Sequence, residues 1–210
     1  YGAFSQKIWK NNIVASSYEP GSIFKPIVAA AALDKELARP QDIYFCENGK
    51  LKIGNATIGE ASDHKFGWMT MNDIIAKSSN IGVVKIAQQV GKKSFYEYIR
   101  KFGFGEKLGL SLPGESAGQL KAQKNWSNLS LASISFGHEI AVTPIQMVSA
   151  LSAIANGGNL MEPHITKALI KNGKVVQQFK PKKIHRVISE KASLQMVEIL
   201  KSVVKTGTGK

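Results

Sequence analysis

The chain has 210 residues, of which 43% are hydrophobic, and Cys46 is its single cysteine. A chain of this size can bury roughly 70% of the surface that its unfolded form exposes, which predicts one compact domain and excludes disordered and fibrous classes. One cysteine excludes an internal disulfide. The sequence has no signal peptide and no apolar run of ~18 residues, so these residues are expected to be soluble, whether or not they belong to a longer anchored protein.

The charge balance is strongly basic. Lys and Arg number 28 against 15 Asp and Glu, a formal charge of +13, which is compatible with nucleic acid, an anionic surface or an acidic substrate as partner. The lysines are scattered in ones and twos, without an Arg-rich block, an RNA-binding strand with interleaved aromatic residues or the spacing of zinc ligands. This distribution argues against nucleic acid and favours a solvated basic surface. We expect no metal and no cofactor.

The first predicted elements are a turn, a buried helix and a hairpin. Residues 18–21, YEPG, form a turn signal. The following SIFKPIVAAAALDKEL, residues 22–37, is rich in Ala and Leu and apolar around most of its circumference, which predicts a buried central helix. Residues 39–62 contain Asn48-Gly49 between short runs of strand-forming residues, which predicts a hairpin or an extended loop.

Three helices are predicted in the next segment. The first begins near Thr70, which forms a pair resembling a capping box with Asp73 three residues later. It breaks at residues 78–80, and a second helical run continues to Val90. A short helix over residues 94–101 follows, capped by the serine at its first position.

The second half predicts two more helices around a hairpin. Thr143-Pro144 places an N-cap and an N1 proline before a helix that Gly157-Gly158 closes. Residues 165–179 are predicted to form two strands joined through Asn172-Gly173. Ser189 caps a last helix, in which apolar residues recur at spacings of three and four: Leu194, Val197, Leu200 and Val204. Because helices outnumber strands and do not alternate with them, the fold class is predicted to be α+β.

The first candidate chemistry lies in Ser22-Ile23-Phe24-Lys25. Positions i and i+3 share one face of a helix, so the Ser22 hydroxyl and the Lys25 amine can meet. The ring of Pro26 cannot take part in a regular helical bond to the carbonyl of Ser22, which places Ser22 at the start of the helix. There the helix dipole stabilises an alkoxide that develops on the serine and disfavours a charged lysine.

Lys25 has two interpretations. To act as a base near neutral pH it needs a pKa lowered by about 3 units, which burial and the dipole can supply together. An N-cap serine beside an ordinary surface lysine explains the same four letters, and the motif taken alone is weak.

A second candidate is Ser78-Ser79-Asn80, which interrupts a helix. Ser and Asn bond local backbone and favour such breaks, so a structural turn is one explanation. A hydroxyl from Ser78 and a carboxamide from Asn80 could instead relay a proton to a leaving group and bind a substrate amide. The S-x-x-K and S-x-N pair, with a K-T-G, is known from penicillin-binding proteins and serine β-lactamases.

Four long blocks carry a family resemblance. They are YEPGSIFKPIVAAAAL, DHKFGWMTMNDIIAKSSNIGVVKIAQQVG, KFGFGEKLGLSLPGE and AVTPIQMVSALSAIANGG. Their order and length resemble the transpeptidase domain of class B penicillin-binding proteins, closest to the septal, cell-division type, over about residues 11–210. The resemblance implies an α+β fold of the penicillin-binding transpeptidase and serine β-lactamase kind, with a five-stranded antiparallel sheet, flanking helices and a mostly helical lobe. It also implies that residues 1–210 are one transpeptidase domain, a fragment without the N-terminal membrane anchor region and the C-terminal strands.

The resemblance also implies roles for four residues. Ser22 would be the nucleophile that the penultimate D-Ala of a peptidoglycan stem peptide acylates, with its backbone N–H as half of the oxyanion hole. Lys25 would be the base for acylation, and Ser78 and Asn80 would relay the proton and position the substrate. A second stem peptide's amine would then form the cross-link, and β-lactam antibiotics would acylate the same serine.

One detail departs from the family pattern, and one triplet only looks like a family motif. In Phe136-Gly137-His138-Glu139 the family usually has a second glycine near the glutamate position, and we interpret His138 as local packing rather than a catalytic base. The triplet Lys205-Thr206-Gly207 looks like the third motif, but the residues before it repeat with helical period. We therefore predict that the triplet closes the last helix, and that the catalytic K-T-G lies beyond Lys210 or is absent.

Two other functions remain open. A serine β-lactamase or D,D-carboxypeptidase shares these motifs but must activate water, and no sequence feature identifies that base. A non-catalytic penicillin sensor is the other alternative. By resemblance, a transpeptidase would act at the outer face of the bacterial inner membrane, held by a segment outside this chain and assisted by division-associated membrane proteins.

Overall fold

The computed structural model describes residues 9–110 and 112–210. Residues 1–8 of the predicted domain, and Ser111 in the third family block, lie outside these described residues. The α-helices are α1 (Asn12–Ala15), α2 (Lys25–Asp34), α3 (Met71–Ala76), α4 (Asn80–Val90), α5 (Lys92–Lys101), α6 (Ser130–Ser135), α7 (Pro144–Ala155) and α8 (Glu190–Thr206). Short 3-10 helices cover Gly21–Phe24, Glu47–Gly49, Ala61–Asp63 and Gln123–Asn125.

The strands form antiparallel pairs around this helical body. They are β1 (Ile43–Phe45), β2 (Lys50–Ile53), β3 (Ala56–Gly59), β4 (Trp68–Thr70), β5 (Gln119–Leu120), β6 (Ile140–Ala141), β7 (Asn159–Met161), β8 (Ala168–Lys171), β9 (Lys174–Gln178) and β10 (Lys183–Arg186). β1 pairs with β4, β2 with β3, β5 with β6, β7 with β10, and β8 with β9. The α+β prediction is confirmed, but the implied five-stranded sheet does not form among the described residues.

Helix α2 is the centre of the packing, as its sequence predicts. Every residue from Lys25 to Leu33 is buried, and the run of alanines at 29–32 is fully so. Small side chains let neighbouring backbones approach closely, and α2 packs against α4, α5 and α8. The first three positions of the predicted helix, Ser22, Ile23 and Phe24, belong instead to the 3-10 turn that leads into it.

The predicted helix caps at three positions are confirmed. The side chains of Thr70, Thr143 and Ser189 each accept a hydrogen bond from a backbone N–H in the first turn of α3, α7 and α8. Thr143 also forms a complete capping box with Gln146. These bonds satisfy N–H groups that have no partner within the helix, which is why short sequence signals locate them.

Two local predictions are wrong. The hairpin of residues 39–62 turns between β2 and β3 and not at Asn48-Gly49, which belong to a 3-10 turn after β1. The partner of β1 is β4, more than twenty residues later, and no local pattern specifies that pairing. Helix α5 begins at Lys92 after Gly91, so Ser94 lies inside it and does not cap it.

The last helix is confirmed, but its buried face differs from the apolar repeat that predicts it. Leu194 and Val204 are each 63% exposed. The buried positions of α8 are Ala192, Ser193, Met196 and Ile199. Helical spacing thus predicts the element, while its orientation depends on the neighbours α2, α3 and α7.

The predicted hairpin near residue 170 is confirmed. Asn172 and Gly173 both have positive φ, as a tight two-residue turn between β8 and β9 requires. No helix in the described part of the chain is both long and apolar enough to cross a membrane.

Candidate active site

The turn before α2 presents Ser22 to solvent. Ser22 is the second residue of the 3-10 helix and is exposed, whereas Lys25, three residues later, is 1% exposed. The turn is held from outside the helix, because the backbone N–H of Gly21 donates to the carbonyl of Gly137 at 3.1 Å. A nucleophile needs access to substrate, and a base needs desolvation, and this turn supplies both.

Lys25 reaches the second predicted motif across the interior. Its Nζ donates to the backbone carbonyl of Ser78 at 2.5 Å and to the Ser78 hydroxyl at 2.9 Å. Burial lowers the pKa of Lys25 from its ordinary 10.5 to about 8, and the nearby charge of Glu60 opposes this shift. The predicted direction of the shift is confirmed, and an appreciable fraction of Lys25 is neutral near physiological pH.

The turn that carries Ser78 and Asn80 joins α3 to α4. Ser78 has φ +59°, a conformation that serine adopts rarely. Ser79 caps α4 by accepting from the N–H of Gly82 at 2.9 Å. The side chain of Asn80 donates through Nδ2 to the carbonyl of Gly59 at 3.0 Å, so β3 orients its carboxamide.

Sequence reasoning missed one residue of this region. Glu60 follows β3 and is 9% exposed, and its carboxylate accepts a 2.5 Å hydrogen bond from the Ser79 hydroxyl and another from the backbone N–H of Asn80. The signal that could have found it is slight, because Glu60 is one of two acids in the polar loop between β3 and β4, the other being Asp63. Cys46 lies 3.6 Å from the Ser79 hydroxyl, and burial raises the pKa of its thiol, which makes it a poor nucleophile.

One cavity brings three of the four predicted residues together. It has a volume of about 310 Å³, and Ser22, Lys25 and Ser78 line it. The rest of its wall comes from Ile23, Pro26, Ile75, Leu151, Leu200, Val203 and Thr208. Asn80 does not line this cavity. A larger cavity of about 700 Å³ beside α3 and α8 contains neither Ser22 nor Lys25 and lacks the paired groups that nucleophilic chemistry needs.

Comparison with known proteins decides the family. The sequence profile described as "Penicillin binding protein transpeptidase domain" matches residues 3–210. The chain belongs to this family. Stage V sporulation protein D of Bacillus subtilis is 36% identical over 213 residues, which cover 100% of this chain and 33% of that protein. The peptidoglycan D,D-transpeptidase FtsI homolog of Mesostigma viride is 30% identical, covering 100% of this chain and 39% of that protein.

Solved structures agree with the sequence comparison. The crystal structure of penicillin-binding protein 3 from Mycobacterium tuberculosis in complex with aztreonam is 33% identical, has a TM-score of 0.86, and covers 95% of this chain and 46% of that one. The resemblance to class B penicillin-binding proteins is therefore confirmed. The chain spans about a third of the length of the curated relatives that it matches.

The Lys205-Thr206-Gly207 triplet of this transpeptidase domain lies at the end of a helix and not on a strand. Lys205 and Thr206 are the last residues of α8 and Gly207 caps it, which confirms the prediction that the triplet closes a helix. A Cβ at Gly207 would lie 2.1 Å from the Ala76 carbonyl, so a glycine is needed where α8 ends against α3. The position of a catalytic K-T-G elsewhere stays a prediction.

His138 lies on the transpeptidase surface. Its Nδ1 is 2.9 Å from Oε2 of Glu19, and this hydrogen bond lowers the pKa of the Glu19 carboxyl. Glu19 also accepts from the backbone N–H of Glu139 at 3.0 Å. These two hydrogen bonds of Glu19 connect the loop at 136–139 to the segment before Ser22. These contacts favour the interpretation of His138 as a packing residue, which stays a prediction.

Proposed function

We propose that the protein is a peptidoglycan D,D-transpeptidase that cross-links stem peptides through an acyl-enzyme on Ser22. The observation that carries the proposal is the buried Lys25, bound to Ser78 in the cavity that also contains the exposed Ser22. The names of relatives such as the D,D-transpeptidase FtsI homolog support the same reaction class.

Acylation follows from the positions of these groups. Neutral Lys25 takes the proton of the Ser22 hydroxyl as Oγ attacks the carbonyl of the penultimate D-Ala. The backbone N–H of Ser22 stabilises the oxyanion, a donor worth about 3 kcal/mol in the transition state. The C–N bond then breaks, and Ser78 passes the proton from Lys25 to the amine of the departing D-Ala. The hydrogen bond between Lys25 Nζ and Ser78 Oγ, 2.9 Å long, is the path for that transfer.

The second half-reaction reverses the proton path. The amine of a second stem peptide attacks the acyl carbonyl and loses a proton to Ser78, which passes a proton to Lys25. The ester bond between the acyl carbon and Ser22 Oγ then breaks, and Lys25 returns a proton to Oγ, so that Ser22 is regenerated as the free hydroxyl. Asn80 positions the substrate, because Nδ2 is engaged by Gly59 and leaves the amide oxygen to accept a substrate N–H. β-Lactams mimic the D-Ala-D-Ala terminus and acylate the same serine, as the aztreonam complex of the mycobacterial relative suggests.

The same proposal includes a setting for the reaction. Residues 1–210 would be part of the transpeptidase domain of a longer protein, held at the outer face of the bacterial inner membrane and associated with membrane proteins of cell division. The partners would be stem peptides and β-lactam antibiotics. The greater length of the relatives supports the proposal of a longer protein, and does not bear on the membrane location or the partners.

A labelling experiment on the natural full-length protein tests the function. A fluorescent penicillin should form an adduct that survives denaturation and maps by mass spectrometry to the peptide containing Ser22. With stem-peptide donor and acceptor, a cross-linked dimer should accumulate. Rapid release of hydrolysed penicillin would instead identify a β-lactamase, and release of D-Ala without dimer would identify a carboxypeptidase.

Gly137→Ala is expected to slow acylation of Ser22 at least tenfold. Gly137 has φ +83°, and a Cβ there would lie 2.2 Å from the carbonyl oxygen of Gly21, so the turn before Ser22 must move. Gly109→Ala is the matched control, because Gly109 has φ +82° and open space around it. The rate of labelling by a fluorescent penicillin checks the prediction. Equal rates in the two variants would contradict the proposed role of the Gly21–Gly137 contact.

A further inference from the structure

A buried carboxylate lies behind the turn that carries Ser78 and Asn80. Oε1 of Glu60 accepts from the Ser79 hydroxyl at 2.5 Å and lies 3.4 Å from the N–H of Ile81. Oε2 accepts from the N–H of Asn80 at 2.5 Å. These donors belong to the start of α4, where backbone N–H groups have no partner within the helix. One acid therefore binds three consecutive residues that follow Ser78.

These bonds bear directly on the acceptors of Lys25. Ser78 has φ +59°, which is unfavourable for a residue with a Cβ, so the turn needs external support. Ser79 supplies it from both sides, because its hydroxyl donates to Glu60 while accepting from the N–H of Gly82. A shift of Ser79 would move the Ser78 carbonyl and hydroxyl away from Lys25 Nζ.

We infer that Glu60 is a positioning residue for acylation, which holds the Ser78–Asn80 turn against Lys25 through Ser79 and the backbone of Asn80. The inference rests on the proposed function. Glu60 does not line the cavity that contains Ser22, so it acts through these neighbours and does not touch substrate.

The charge of Glu60 gives the role a measurable signature. The Glu60 carboxylate raises the pKa of Lys25 against the effect of burial. Lys77, directly before Ser78, is exposed to solvent. Glu47 after β1 and Lys85 on α4 pair with each other at 2.5 Å. Among the described residues, Glu60 is the charged group that acts on Lys25. Removing its charge should lower the pKa of Lys25.

The experiment measures the acylation rate of the full-length protein by a fluorescent penicillin between pH 5.5 and roughly 10, the range in which a lysine with a lowered pKa titrates. The wild-type rate should rise with a midpoint near pH 8 as Lys25 loses its proton. Glu60→Gln should move this midpoint to lower pH. It should also reduce the plateau about 10-fold to 100-fold, because the amide replaces an acceptor by a donor and the turn shifts.

Two further variants separate positioning from general stability. Glu60→Asp keeps the charge but is one methylene shorter, so its midpoint should stay close to wild type while its plateau falls. Glu47→Gln is the matched control, since Glu47 contacts α4 through Lys85 but does not act on Lys25. It should leave both midpoint and plateau unchanged.

A wild-type plateau in folded Glu60→Gln would overturn the inference, because the plateau reports how the turn is held against Lys25. If Glu60→Gln does not fold, Glu60→Asp provides the test. A wild-type plateau in Glu60→Asp would also overturn the inference. Wild-type labelling of Ser22 is measured in the same series. Absence of a Ser22 adduct in the wild type would refute the proposed function itself, whereas labelled wild type with unaffected Glu60 variants would refute the positioning role alone.

Discussion

Ser22→Ala is expected to abolish covalent labelling by penicillin and the cross-linking of stem peptides. The exposed hydroxyl of Ser22 lies in the same cavity as Lys25 and Ser78. Without that oxygen no acyl-enzyme can form, and the loss should be at least about a thousandfold, as for other nucleophiles activated by a base. Gel fluorescence after penicillin labelling and the yield of cross-linked dimer are the measurements.

The control for Ser22→Ala is Ser152→Ala, which removes an exposed serine hydroxyl from α7. Ser152→Ala should label and cross-link as the wild type does. Genetic complementation adds a test of the sensor alternative. Full complementation by Ser22→Ala would show that the protein works without catalysis and would refute the transpeptidase proposal.

Lys25→Met is expected to reduce acylation about a thousandfold while making the fold more stable. Methionine has a similar length but cannot accept the proton of Ser22. The loss in rate should persist at every pH, because no other described group lies in the position of the base. The acylation rate at pH 7 and at pH 9 checks this result, and a rate within tenfold of wild type would contradict the role of Lys25.

The stability gain follows from the lowered pKa of Lys25. A shift from 10.5 to about 8 corresponds to a penalty of about 3 kcal/mol for the charged form in the folded state. Loss of the hydrogen bonds to Ser78 offsets part of this, so the free energy of unfolding should rise by about 1–2 kcal/mol at pH 7. Lys35→Met, at the exposed C-terminal end of α2, is the control and should bring no such gain.

The pH dependence of this gain has a definite sign. Below about pH 8 both folded and unfolded chains bind the Lys25 proton, and the folded state carries the full penalty. Between 8 and 10.5 the folded state releases the proton first, so wild-type stability rises with pH and the advantage of Lys25→Met shrinks. Urea unfolding of wild type and Lys25→Met at pH 7 and pH 10 measures this difference in the free energy of unfolding. A constant advantage would show that packing, and not charge, causes the difference.

Short-range signals predicted much of this fold. Thr70, Thr143 and Ser189 are recognisable as helix caps because a cap bonds a backbone N–H only three residues away. The turn at Asn172-Gly173 followed from the need for positive φ at both positions. The alanine-rich run of α2 predicted a buried helix, because an element that is apolar on all sides must be enclosed.

Predictions failed where long-range packing decides. β1 pairs with β4 and not with the strand after Asn48-Gly49, since pairing depends on which edges the folded chain brings together. Leu194 and Val204 belong to the apolar repeat of α8 but face outward, because neighbouring helices fix the rotation of α8. The sequence signal for the acid Glu60 is slight, because a buried carboxylate is recognised by its hydrogen-bond partners in the fold.

Neighbouring residues in the sequence are enough to identify the family, the candidate residues Ser22, Lys25, Ser78 and Asn80, and the helix end at Lys205. This is possible because the family blocks are continuous stretches of sequence, and because helix starts and ends are set by residues a few positions apart. The 2.9 Å contact between Lys25 Nζ and the Ser78 hydroxyl joins residues 53 positions apart, so it depends on the folded chain. Burial then lowers the pKa of Lys25, and burial is a property of the whole fold.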